Sequence, residues 1–116
     1  EFRRVLFRSP SKAPVDVSVT ASSSTSITVL WKPPPENAIH GIIKGFKLFY
    51  KRRSFLGSAT AITINSGASL RKDFTGLDKY TEYEFQVLAF TSVGDGPKSP
   101  VEVERTNEDG KWPHTD

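Results

Sequence analysis

The sequence predicts an all-β protein, a sandwich of seven short strands held together without a disulfide. Three observations predict it. Apolar residues alternate with polar ones over short runs, the period of half-buried strands. Turn signals of Gly, Pro, Asn and Ser recur about every ten residues, a spacing typical of sandwiches. Leu77 stands six residues before Tyr83 across a polar turn. That is the arrangement of a tyrosine corner, whose ring joins the core while its hydroxyl bonds back to the preceding loop.

Residues 1–9 match neither a secretory signal nor the pattern that follows: Arg3, Arg4 and Arg8 interrupt any apolar stretch. Residues 1–12 are therefore read as a leader, non-native or left by sequence assembly, with a native basic tail for acidic partners as the alternative. The domain is expected over 13–107, and 108–116 read as a C-terminal linker. A chain that starts at Glu1 and has no Met is expected to be a fragment or a processed product.

From Pro14, Val15, Val17 and Val19 alternate with polar residues as the first strand. A Ser/Thr-rich turn over 22–26 follows. Ile27, Val29 and Trp31 then face inward on the second strand, which Pro33, Pro34 and Pro35 end because they cannot donate ladder hydrogen bonds. Residues 43–53 are the longest candidate strand, with Phe46, Leu48 and Tyr50 on one face and Lys47, Phe49 and Lys51 on the other. Ile62 and Ile64 mark a short strand. Another spans 70–74, where Lys72 breaks the alternation and suits an edge. Tyr83, Phe85, Val87 and Ala89 oppose Glu84, Gln86 and Leu88 on the strand after the corner. A loop of Gly94, Asp95, Gly96 and Pro97 leads to the last strand, with Val101 and Val103 expected inside and Glu102 and Glu104 outside. Two inner faces packed together must supply the stability, since isolated hairpins do not hold. Trp31 and Tyr83 are expected to be the costliest losses, about 3–5 kcal/mol each when truncated.

The 116 residues suffice for one domain with one core. No apolar run approaches the length of a membrane helix. The first nine residues carry +2 of the chain's net +3, from three Arg against Glu1, so the other 107 carry +1. A nucleic-acid partner is accordingly not expected. With no Cys there is no disulfide framework, which leaves the compartment open. None of the three Asn begins a glycosylation sequon.

Catalysis finds no constellation. His40 falls in a loop and His114 in the tail, with nothing to bring them to each other or to a nucleophile. Two His and no Cys make a metal site of usual composition unexpected, and no phosphate-binding loop opens a helix. The chain is read as not an enzyme, with no cofactor.

Pro14, Trp31 with the prolines after it, Gly45 and Phe46 leading to Tyr50, Gly76 and Leu77 with Tyr83, Ala89 and the Gly94–Pro97 loop together resemble a fibronectin type III domain over residues 13 to about 107. The resemblance implies an immunoglobulin-like Greek key with Trp31, Tyr50, Leu77 and Tyr83 as structural core. It implies three strands in one sheet and four in the other. The wording is similar to repeats of the sidekick, neogenin, Down syndrome cell adhesion molecule and receptor tyrosine phosphatase families. That implies an extracellular spacer and contact module in a single-pass membrane receptor, among neighbouring repeats and protein partners. The alternatives are a mechanical repeat of an intracellular muscle scaffold and an accessory module of a secreted enzyme. Trp112 and Pro113 do not look like the start of a following repeat.

Some members of the family bind integrins through Arg-Gly-Asp before the last strand. Here Val93 stands before Gly94 and Asp95, so the cationic half is missing and a tight turn is the reading. The Trp-Ser-x-Trp-Ser motif of cytokine receptors is also absent. Two candidate sites remain. Phe49, Leu88 and Phe90 point outward by parity on neighbouring strands, an expected apolar contact face. Lys47, Lys51 and Arg53 share one solvent face, a candidate patch for a sulfated glycan or simply a solvated strand face that blocks edge pairing.

Overall fold

A computed structural model describes residues 9–35, 39 and 41–108. His40, His114, Trp112 and Pro113, and residues 1–8 lie outside them. The alternating runs become β1 (Val15–Ser23), β2 (Ser26–Lys32), β3 (Gly45–Arg52), β4 (Thr60–Ile64), β5 (Arg71–Phe74), β6 (Glu82–Phe90) and β7 (Glu102–Arg105). β-Branched and aromatic side chains at alternate positions suit a pleated surface buried on one side. All neighbouring strands pair antiparallel, in sheets ordered β1-β2-β5 and β4-β3-β6-β7.

The core fills the space between the sheets. Ile27, Val29 and Trp31 of β2 and Phe74 of β5 meet Phe46 and Leu48 of β3 and Tyr83, Phe85, Val87 and Ala89 of β6. Leu77 closes one end, and Tyr50 packs against the cluster from a half-buried position. Trp31 and Phe46 meet edge-on with centroids 5.5 Å apart, and Phe74 lies 4.7 Å from Tyr50 and 5.2 Å from Phe85. These are favoured aromatic geometries. Each large apolar side chain buried here contributes about 1.5–3 kcal/mol, so sheet-on-sheet packing outweighs any single hairpin.

The corner forms as its residues require. Gly76 takes φ 70, where a Cβ is disfavoured. The Leu77 N–H donates to the Thr25 carbonyl at 2.9 Å, and the Asp78 N–H donates to the Tyr83 hydroxyl at 2.8 Å. This ties the second sheet to the β1–β2 turn.

Three local expectations are corrected. Val15 is 39% exposed, because the register shifts between Val15 and Ser18 and Asp16 sits at φ 52. The bulge turns Val15 away, and inward alternation begins at Val17. On β7 the parity is reversed: Val103 lies opposite Glu84 on the outer face, while Glu102 and Glu104 lie opposite Phe85 and Tyr83. The Glu104 carboxylate accepts from the Ala21 N–H at 3.1 Å, so the inward acid bridges the open side of the sandwich to β1. The third concerns Leu88, described with its face below. Pro10, inside the segment read as leader, is buried, and a Cβ on Gly96 would come within 2.8 Å of its Cβ.

Candidate functional site

The candidate residues lie on the outer face of the four-stranded sheet. Register places Gly45, Lys47, Phe49 and Lys51 of β3 opposite Phe90, Leu88, Gln86 and Glu84 of β6. Phe49, Leu88 and Phe90 are therefore brought together as parity predicts.

Their exposure differs from the expectation. Leu88 is only 4% exposed, although it belongs to the outer face and not to the sandwich core. The chain after Pro97 runs beside its strand. The Ser99 N–H donates to the Val87 carbonyl at 2.8 Å, and the Ser99 hydroxyl accepts from the Val87 N–H at 2.9 Å. This runs the segment before β7 alongside β6. From there Lys98 reaches across to β3, its ammonium 4.1 Å from the Phe49 ring centre. Leu88 itself lies opposite Lys47 in the ladder. Phe90 is half-buried, its ring lying over Gly45, where a Cβ would meet it at 2.8 Å. Lys47 Nζ stands 5.6 Å from the same ring. The face thus holds two half-exposed aromatic rings, each carrying a lysine, and a buried leucine. Such cation–ring contacts contribute about 0.5–1 kcal/mol at exposed sites.

The basic row is also partnered. Lys47 pairs with Asp95 at 3.0 Å, Lys51 with Glu84 at 3.5 Å and Arg53 with Glu82 at 3.5 Å. Arg105 shares Glu82 at 3.3 Å and lies over the Tyr80 ring at 4.7 Å. A polyanion arriving here would compete with these carboxylates. Solvent screens such surface pairs, which contribute little to stability, but they do cancel the row's net charge.

Lys98, Asp95, Glu82 and Glu84 are the participants the sequence reading missed. Glu84 had a signal, since its outward parity on a strand beside β3 places it next to a lysine. Asp95 lies 48 residues from Lys47 in a loop, with no periodicity to announce it. Among the described residues no group of three or more His, Asp or Glu is arranged to hold a metal ion.

A family model for the fibronectin type III domain matches residues 12–105. The chain is 41% identical over 105 residues to protein sidekick-1 of Gallus gallus. It is 36% identical over 104 residues to the cell adhesion molecule DSCAM of Homo sapiens. Each match covers 90% of this chain but only 5% of the relative. The crystal structure of the chicken CNTN1 FN1-FN3 domains is similar with a TM-score of 0.76 at 28% identity, covering 86% of this chain and 33% of that one.

Proposed function

The chain belongs to the fibronectin type III family, and from that premise we propose that it is a non-catalytic spacer and protein-contact repeat in the extracellular part of a single-pass cell-adhesion or guidance receptor. The domain spans 13–107, and the outer face around Phe49 and Phe90 is its contact surface. The observation that carries this reading is the similarity to sidekick-1 and to the cell adhesion molecule DSCAM over nine-tenths of the chain. The face supports it: half-exposed aromatic rings with lysines over them offer apolar area that a partner can bury by displacing the ammonium groups. Aromatic anchors of this kind dominate protein interfaces. A sulfated glycan is a weaker reading, because Lys47, Lys51 and Arg53 already have acidic partners.

The test replaces Phe49 and Phe90 by Ser in the parent receptor and measures partner binding and cell aggregation. We expect affinity to fall about tenfold, the consequence of losing about 1.4 kcal/mol of anchor contact. Unchanged binding by a variant whose near-ultraviolet circular dichroism is native removes the face from the proposal.

A further inference from the structure

A sandwich of this kind exposes four edge strands, and each is a template for another chain unless something blunts it. Three are blunted. β5 carries Arg71, Lys72 and Asp73 along four residues. β7 carries Glu102, Glu104 and Arg105, with Glu104 turned inward to the Ala21 N–H. β1 is bulged at both ends, and its Ser23 carbonyl is taken by the Asn107 N–H at 3.1 Å.

β4 has none of these devices. Among the described residues it pairs with β3 alone and ends the sheet. From Ser58 to Asn65 there is no charge, no Pro and no Gly. Its register with β3 is regular over all five residues, so no bulge twists the edge away. Every second residue of an antiparallel strand directs both its N–H and its C=O away from the neighbour. Thr60–Ile64 thus offers an uninterrupted, uncharged row of backbone donors and acceptors.

We propose that β4 is a homotypic pairing edge, joining two copies of this chain through antiparallel β4–β4 hydrogen bonds into a continuous eight-stranded sheet. A two-fold interface must be self-complementary. Pairing centred on Ile62 sets Ile62 opposite Ile62 of the second copy, Ala61 opposite Thr63 and Thr60 opposite Ile64. No like charges meet, and small or β-branched residues face each other throughout. Self-pairing therefore meets no charge repulsion along the strand, as a two-fold contact between identical edges requires. The loop before β4 adds exposed apolar area in Phe55 and in Leu56, which is 99% exposed.

Sedimentation equilibrium of the 116-residue chain from micromolar to millimolar concentration tests the proposal. The expected average mass rises from 12.9 kDa toward twice that value. Ala61 and Thr63 lie on the outer face, opposite Phe49 and Lys47. Ala61→Lys with Thr63→Lys places Lys against Lys across the two-fold axis, and Ala61→Glu with Thr63→Glu places Glu against Glu. Each double variant should remain monomeric, while an equal mixture of the two should dimerise again. A wild-type mass fixed at the monomer value overturns the proposal. So does dimerisation of the double-Lys variant, or a mixture that stays monomeric. If a variant fails to fold, amide NMR of the wild type on dilution decides instead. Shifts concentrated in Thr60–Ile64 uphold the edge; shifts elsewhere, or none, reject it.

Discussion

Tyr83 shows how one side chain can do two separate jobs. Its ring is buried among Leu77, Phe74 and the rest of the core, and its hydroxyl accepts from the Asp78 N–H at 2.8 Å. The two contributions separate by substitution. Tyr83→Phe keeps the ring and removes the acceptor, and should lower unfolding stability by about 1 kcal/mol, the net value of one hydrogen bond. Tyr83→Ala should cost about 3–5 kcal/mol, because a cavity is added to the lost transfer energy. Urea titration of both variants checks the split. A Phe variant as damaging as the Ala variant would mean that the hydroxyl, and not the ring, holds the corner.

At the scale of elements, alternation made β2, β3 and β6 legible, because each buries a full face of three or more residues. It failed where a strand meets an edge or a bulge. Val15 belongs to the same valine series as Val17, yet the kink at Asp16 turns it outward. Val103 of β7 sits on the outer face because an edge strand can point a carboxylate inward toward a backbone donor. Leu88 was read to the correct side, but parity says nothing about how deeply a residue is buried. Of the candidate face, then, the strand positions were legible and the partners were not, since Asp95 and Lys98 depend on how a loop is laid across the sheet.

The pairing of β2 with β5 shows a cross-strand contact with a pH signature. Thr28 lies opposite Asp73, and its hydroxyl donates to Asp73 Oδ1 at 2.9 Å. That hydrogen bond, with a further one and charge from Arg71, holds the Asp73 carboxyl below its ordinary range. A carboxylate whose folded pKa is the lower one stabilises the fold above its unfolded pKa. That gain is lost as pH falls through the folded value. Wild type should therefore exceed Asp73→Asn in urea midpoint at neutral pH, and the gap should close on acidification below about pH 4. A gap independent of pH would assign the difference to shape and not to charge.

Across the whole molecule, the path by which the chain leaves the sandwich is fixed by hydrogen bonds rather than by apolar packing. Thr106 is 1% exposed; its hydroxyl donates to the Asp78 carbonyl at 2.7 Å and accepts from the Thr81 N–H at 2.9 Å. The Thr106 N–H donates to the Thr81 carbonyl, and Asn107 bonds to both Ser23 and Tyr80. The exit is thereby clamped between the corner and the β1–β2 turn, which sets the direction of anything joined beyond it. Thr106→Val keeps the shape and leaves the Thr81 N–H and the Asp78 carbonyl without their partner, a cost of about 1–3 kcal/mol. The loss should be local in kind. Amide exchange at Thr81 and Asn107 should accelerate more than at Val87, which is held at the far end of β6 by Ser99. Equal acceleration at all three amides would show that Thr106 contributes only to global stability, and the idea of a clamped exit would fall.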